Sequence, residues 1–122
     1  MTDALKVIRH AERPVVDLSG AQYTPIVGDD TGEGLPVRTG IQVSPPGHQV
    51  RPHSHPYAEI LTVLDGEGEA WMIGEKERVA LAPGTTIVVP AGRAHAFRAT
   101  GARPLVTFGI HTNDKRLVDY VD

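Results

Sequence analysis

The sequence has no cysteine among its 122 residues, which excludes both a disulfide framework and a thiolate metal site. The same absence agrees with a reducing cytoplasm. No apolar stretch is long enough to span a bilayer, and the start of the chain carries scattered charges instead of the apolar core of a signal peptide. We therefore expect a cytoplasmic protein with no membrane partner.

The chain also lacks an excess of positive charge. Its formal net charge is −3, its isoelectric point lies near 6.0, and its lysines and arginines are dispersed. We expect no nucleic-acid partner, because such a partner requires a basic patch or stripe. With 122 residues, 40% of them hydrophobic, the chain can bury one core but hardly two, so we expect a single domain.

Glycine and proline are frequent, with 13 and 10 residues, and they separate short runs rich in Val, Ile, Leu and Thr. This alternation predicts strands joined by turns. The predicted strands cover residues 37–43, 58–66, 69–74, 77–82, 86–91, 94–100 and 104–112. Seven or more short strands without long helices indicate an all-β protein with an antiparallel jelly-roll barrel.

The remaining residues flank this predicted barrel core of residues 37–112. Residues 1–36 form an irregular N-terminal segment, in which 15–18 and 23–27 are candidate edge strands and 28–34 is an exposed loop. Residues 113–122 form a tail that contains either a short helix or a final edge strand.

Two segments of the sequence contain histidines and a glutamate, residue types that bind divalent metal ions well. Residues 47–66 place His53, His55 and Glu59 close together, and His95 ends a second segment. Side chains two residues apart on a strand share a face. Three imidazoles and a carboxylate can bind a divalent ion and leave one or two positions of an octahedral ion open, as catalysis requires. We predict one divalent metal ion here, with Fe, Mn, Zn, Ni and Co as the candidates.

Both segments resemble the two sequence motifs of the cupin superfamily. The first motif has two glycines around an H-x-H and a glutamate, and the second has a glycine, P-x-G and a histidine. The matching positions are Gly47, His53, His55, Glu59, Gly66, Gly84, Pro90, Gly92 and His95. Ala99 stands where the family often has asparagine. The resemblance implies the jelly-roll barrel and the metal site, but its members include dioxygenases, decarboxylases, isomerases, cyclases, lyases and binding proteins.

Strand alternation predicts which side chains line a pocket below the ion. If Glu59 points inward, Leu61 does so too, with Met72 opposite, and His95 brings Phe97 with it. The pocket would be narrow and largely apolar. Gln42, Tyr57 and His111 are the polar candidates. We predict that Gln42, Leu61, Met72 and Phe97 contact a small-molecule substrate, and that His111 and Tyr57 are the candidate catalytic acid and base.

The same alternation predicts that Trp71 and Ile73 lie on the outer wall of the barrel. An exposed apolar pair on a barrel wall indicates a subunit interface. We therefore expect a homodimer.

Two functions of different class remain open. The first is a metal-dependent enzyme that acts on a small organic molecule, as a dioxygenase or as an isomerase, cyclase or decarboxylase. The H-x-H-P-Y element at residues 53–57 is also similar to aromatic polyketide cyclases of the superfamily. The second function is a non-catalytic, metal-dependent module that binds or senses a metabolite. The open metal position favours the enzyme.

Overall fold

Two antiparallel sheets make up most of the structure, a computed structural model that describes residues 4–121. The six-stranded sheet has the order β1-β2-β3-β10-β5-β8, and the five-stranded sheet has the order β11-β4-β9-β6-β7. The strands of the first sheet are β1 (Val16–Leu18), β2 (Ala21–Val27), β3 (Arg38–Ser44), β5 (Glu59–Asp65), β8 (Thr86–Val89) and β10 (Leu105–His111). Those of the second sheet are β4 (His53–Ser54), β6 (Gly68–Met72), β7 (Val79–Leu81), β9 (His95–Ala99) and β11 (Asp119–Tyr120).

The predicted all-β jelly roll is confirmed, and each of the seven predicted strands is present with ends shifted by a few residues. The candidate edge strand at 15–18 corresponds to β1, which lies at the edge of its sheet. The strand at 23–27 is β2, and its assignment to an edge is wrong because β2 lies between β1 and β3. The division into residues 1–36, 37–112 and 113–122 stays a prediction.

The two flanking segments also take definite structures. The tail forms the final edge strand β11, paired with β4, rather than a helix. Residues 28–34 contain the 3-10 turn Asp29–Thr31, but they do not form a wholly exposed loop. The Glu33 carboxylate is buried there and accepts hydrogen bonds from the Gly28 N–H, at 3.2 Å, and from Lys6, at 2.9 Å.

The hydrophobic core lies between the two sheets and is built by alternate residues of their strands. On β5 the buried residues are Glu59, Leu61 and Val63, while their neighbours are more exposed. The other core residues are Ala70, Leu81, Phe97, Ala99 and Leu105. Each large aliphatic side chain buried in this way contributes about 1.5–3 kcal/mol. Because Glu59 begins the inward row of β5, its carboxylate lies where the apolar core ends.

Gly66 shows why the turn between β5 and β6 needs a glycine. Its φ of +81° lies in the left-handed region, and a Cβ there would lie 2.8 Å from the Leu105 Cα and overlap the Pro104 carbonyl. The turn can therefore pack directly on the residues that start β10.

Among residues 4–121, no helix has the length and apolar character needed to cross a bilayer. The cytoplasmic location stays a prediction.

Candidate functional site

The structure brings together the four predicted metal ligands, which are distant in the sequence. His53 lies on β4 and pairs directly with His95, the first residue of β9. His55 follows β4, and Glu59 starts β5 on the facing sheet. All four residues are buried, and their ligand atoms lie within 4.8 Å of one another. The cluster thus joins both sheets at one end of the core.

Backbone carbonyls orient the three imidazoles of this cluster. The Nδ1–H of His53 donates to the Arg51 carbonyl at 2.7 Å, and that of His95 donates to the Arg93 carbonyl at 3.0 Å. The Nδ1–H of His55 donates to the backbone carbonyl of Leu117, in the tail, at 2.7 Å. With Nδ1 carrying the proton, each Nε2 keeps a lone pair, which is the arrangement that metal-bound histidines use.

The carboxylate of Glu59 contacts three imidazoles, those of His55, His95 and His111. Its Oε1 lies 3.2 Å from His55 Nε2 and 3.5 Å from His95 Nε2, yet it is buried and has no hydrogen-bond partner. A buried polar atom of this kind is costly unless something pairs with it. Burial raises the pKa of Glu59, but the imidazoles of His111, His55 and His95 outweigh that effect and hold the pKa well below 4.5. The residues present therefore fit a divalent cation: an ionised carboxylate and three imidazole nitrogens face one point.

Two of the imidazoles differ in how readily they accept a proton. Burial, helped by the neighbouring His95 and His55 rings, lowers the pKa of His53 to about 4 against the opposing effect of its bond to the Arg51 carbonyl. Burial also lowers the pKa of His95, but its contact with Glu59 and its bond to the Arg93 carbonyl prevail and raise it above 6.5. Without a metal, His53 is thus neutral over most of the pH range, while His95 keeps a proton to higher pH.

Tyr57 and His111, the predicted acid and base, lie behind Glu59. The Tyr57 hydroxyl is 2.6 Å from His111 Nδ1, and His111 Nε2 is 3.5 Å from Glu59 Oε2. A carboxylate only accepts hydrogen bonds, so the contact with Glu59 favours a proton on His111 Nε2. The Tyr57 hydroxyl then donates its hydrogen bond to His111 Nδ1. Burial raises the pKa of Tyr57, so the hydroxyl keeps its proton. The catalytic roles of the two residues stay predictions.

Leu117, in the tail, connects the two layers of the site through its backbone alone. Its carbonyl accepts the Nδ1–H of His55 at 2.7 Å, and its N–H donates to the Tyr57 hydroxyl oxygen at 3.2 Å. The Leu117 side chain is itself 45% exposed. The sequence gives no signal for this role, because main-chain groups are the same in every residue except proline.

A cavity of about 280 Å³ opens beside the cluster. The structure places three of the predicted pocket residues, Gln42, Leu61 and Phe97, in its lining together with His53, His55, Glu59 and His111. The contact of these residues with a substrate stays a prediction. The lining also holds Tyr23, Arg38, Gly40, Thr107 and Arg116, which the motifs do not identify.

One of those additional residues could have been found from the sequence. Gly40 is a lone glycine inside β3, and such a glycine often marks a close approach of another group. A Cβ at Gly40 would overlap the Tyr23 ring. The glycine therefore gives the ring its place in the cavity wall, where the Tyr23 hydroxyl accepts a hydrogen bond from Arg38 at 3.0 Å.

A second cavity, of about 300 Å³, shares Glu59, Leu61 and Phe97 with the first. Met72 lines this second cavity instead of the one that contains Gln42, because the register of β6 places it beside His95. Trp71 lines it as well, and the guanidinium of Arg78 lies 3.8 Å from the centre of its ring. Trp71 is therefore half-buried rather than fully exposed on an outer wall.

The comparison with protein families gives one clear match. The family model described as "Cupin domain" matches residues 40–111, which include all four residues of the cluster.

Two relatives of known activity are similar to the sequence. A 5-nitrosalicylic acid 1,2-dioxygenase of a Bradyrhizobium species is 28% identical over 98% of this chain and 59% of its own length. An acireductone dioxygenase of Rhodopseudomonas palustris is 45% identical over 42% of this chain and 32% of its own length. The chain thus spans well under two thirds of the length of both relatives.

Two solved structures show the same fold. The polyketide cyclase RemF from Streptomyces resistomycificus has a TM-score of 0.84 at 15% identity, over 98% of this chain and 87% of the other. A cupin 2 domain-containing protein from Halorhodospira halophila has a TM-score of 0.75 at 24% identity, over 85% and 72% of the two chains. At these identities the likeness concerns the fold alone.

Proposed function

The chain belongs to the cupin family, and on that premise we propose that it is a metal-dependent enzyme acting on a small organic molecule. The observation that carries the proposal is the cluster itself. Three imidazoles, with their Nδ1 protons fixed on carbonyls, and the Glu59 carboxylate bring their ligand atoms within 4.8 Å of one another. Glu59 Oε1 is buried and has no hydrogen-bond partner among the described residues. The cavity beside the cluster gives a substrate access to it.

His53, His55, Glu59 and His95 would hold the ion, and Fe, Mn, Zn, Ni and Co all suit three nitrogens and one oxygen. When bound, such an ion polarises a carbonyl, lowers the pKa of water or, if it is iron, supplies dioxygen chemistry. The protein orients the imidazoles through backbone carbonyls, and three of the four residues that would hold the ion, His53, His55 and Glu59, also line the cavity. A substrate in that cavity therefore meets the ion and the polar cavity wall together.

We propose His111 and Tyr57 as the groups that hold and move a proton in the reaction. His111 lines the cavity, and its Nδ1 is in hydrogen-bond contact with the Tyr57 hydroxyl. A proton given up by His111 Nε2 can therefore be replaced by the Tyr57 proton, which shifts along this bond to Nδ1. The tail backbone fixes Tyr57, since the Leu117 N–H donates to its oxygen.

Among the enzyme reactions, we favour oxidative cleavage by a dioxygenase. Both relatives of known activity are named as dioxygenases, and one of them aligns with 98% of this chain. Cyclisation is the second candidate, because the polyketide cyclase RemF has the highest of the TM-scores given above, 0.84. A metabolite-binding module is the remaining alternative.

An oxygen electrode separates these functions. The protein is loaded with Fe(II), and in parallel with Zn(II) as a redox-inert control, and is given small aromatic acids such as salicylate. Oxygen uptake by the Fe(II)-loaded protein but not by the Zn(II)-loaded protein, in proportion to the loss of the compound, supports the dioxygenase. Loss of the compound without oxygen uptake supports a non-redox reaction. Recovery of every compound unchanged from the loaded protein supports the binding module and contradicts the enzyme.

His111→Ala is expected to weaken metal binding by about 10- to 100-fold, the usual cost of losing a residue that orients a metal ligand. The His111 Nε2 contact with Glu59 Oε2 holds that carboxylate in place. The measurement is a competition titration with a chromogenic zinc chelator. His10→Ala is the matched control, because His10 lies in the exposed turn His10–Glu12, far along the chain from the cluster. Equal zinc affinities of the two variants would contradict the role given to His111.

We also propose a homodimer, as expected from the sequence. The open side of the barrel supports it: Val79 on β7 and Val88 on β8 are 48% and 67% exposed, and Ile73 is 37% exposed. Val79 and Val88 line the second cavity together with Trp71. Association of two copies over this apolar surface would remove it from water.

A further inference from the structure

We propose that the cavity beside the metal cluster binds a small organic acid and that Arg116 and Arg38 hold its carboxylate. The inference names the substrate class of the site and rests on the proposed function. Nothing in the metal-ligand motifs points to it, because neither arginine belongs to them.

The charge of the cavity lining is the first argument. The chain as a whole carries 15 acidic and 12 basic residues. The lining, in contrast, contains three arginines and, among the described residues, a single carboxylate, that of Glu59. Since Glu59 belongs to the metal cluster, a bound divalent ion would make the cavity still more positive. An anion is the ligand that this arrangement favours.

The states of the two arginines are the second argument. Arg38 is largely buried and held in place: it donates to the Tyr23 hydroxyl at 3.0 Å and lies 3.8 Å from the half-exposed Asp30. Arg116 forms no ion pair with an acidic residue in the part of the chain that the structure describes. Burial raises the pKa of Tyr23, and the guanidiniums of Arg38 and Arg116 both oppose that rise. Tyr23 and both arginines line the same cavity. Planar guanidinium groups bind carboxylates through paired charge-assisted hydrogen bonds.

An unpartnered hydroxyl group in the cavity wall is the third, independent argument. Thr107 is 1% exposed, its Oγ1 has no hydrogen-bond partner, and it lies on the inward row of β10 that ends at His111. A polar substituent of a ligand would satisfy it. Leu61 and Phe97 provide an apolar surface in the same cavity. Its volume of about 280 Å³ is at the lower end of small-molecule pockets, about 300–1,000 Å³, so the ligand is a single small molecule of about one ring.

The test compares acids with their neutral amides, which have nearly the same shape. The zinc-loaded full chain is titrated calorimetrically with salicylate and salicylamide, and with benzoate and benzamide. We expect each acid to bind more tightly than its amide. Arg116→Gln is expected to weaken the binding of the acids by about 10- to 100-fold, the usual worth of a hydrogen bond to a charged group, and to change that of the amides less than about twofold. Arg103→Gln is the control, because Arg103 is exposed and pairs with Asp65 away from the cavity.

The possible outcomes separate this inference from the proposed function. Elemental analysis of the same samples reports the metal. If zinc binds but no acid binds more tightly than its amide, or if Arg116→Gln weakens acid and amide alike, the inference is overturned while the metal site stands. If no metal binds but the acids still bind through Arg116, the proposed function fails and the inference holds. Competition by inorganic phosphate as strong as that of salicylate would show a general anion site and would overturn the choice of an organic acid.

Discussion

Replacing His53, His55 or His95 with alanine is expected to remove most of the bound metal while leaving the barrel folded. Each change removes one of four ligand atoms that lie within 4.8 Å of one another. The loss of affinity should exceed the factor of about 10 to 100 that is usual for residues outside the ligand set. The fold should persist, because none of these histidines belongs to the hydrophobic core cluster. Each alanine variant loses one hydrogen bond to a backbone carbonyl, which is worth about 1 kcal/mol of unfolding free energy.

The measurement is elemental analysis after purification without an affinity histidine tag and reconstitution with zinc, manganese or iron. Circular dichroism and thermal unfolding of the metal-free variants report the fold. His48→Ala is a demanding control, since His48 lines the same cavity but its Nε2–H donates to the Ser19 carbonyl at 3.0 Å. Full metal content in the His53, His55 and His95 variants would mean that the ion binds elsewhere.

Metal affinity is expected to fall steeply as the pH is lowered from 8 to 6, with release of about one proton per ion bound. Without a metal, His95 keeps a proton above pH 6.5 because its pKa is raised, mainly by its contact with Glu59 against the opposing effect of burial. An ion must displace that proton, so affinity should fall about tenfold per pH unit below the pKa of His95. His53 adds little in this range, because its pKa is about 4.

Calorimetric zinc titrations in buffers of different ionisation enthalpy count the proton directly. Glu59→Gln removes the charge that raises the pKa of His95, so proton release should shift to lower pH even though zinc binds more weakly. An affinity that is constant between pH 6 and 8 would show that His95 is not the group displaced.

The free energy of unfolding of the metal-free protein should depend on pH through His95 and His53, and the two residues should act in opposite directions. The raised pKa of His95 stabilises the fold below pH 6.5, and this contribution is lost as the pH rises through the folded-state pKa. The lowered pKa of His53 gives a contribution that is present above pH 6.5 and is lost as the pH falls toward 4. Bound metal should reverse the effect of His95 and strengthen that of His53, because both ligands then take up no proton in the folded state but still do so in the unfolded chain.

The part of this structure that the sequence predicts is the part governed by local alternation. The inward row Glu59, Leu61, Val63 follows from strand geometry alone, and two short segments with fixed spacing contain all four residues of the cluster. Pairing between distant segments is less predictable. The position of β2 inside its sheet depends on its pairing with both β1 and β3, and the cavity that Met72 lines depends on the register of β6 with β9.

The other residues of the site illustrate a second limit of prediction from the sequence, which is that contacts between distant residues depend on the fold. Tyr57 and His111 were identifiable as polar groups near the ligands, but their bond to each other, 54 residues apart, required the fold. Arg116 looks like an ordinary charged residue of the tail, and only the path of that tail over the cavity gives it a candidate role.

The attachment of the tail at Leu117 has a consequence for how such a protein can change. Two main-chain atoms of this residue hold the site together, so nearly any amino acid other than proline can serve at the position. The neighbouring Arg116 side chain, which lines the cavity, can then be exchanged without loosening the imidazole that the carbonyl holds. A library randomised at Arg116 should yield variants that retain the ion but accept different compounds. This position is thus a natural starting point for redesigning selectivity.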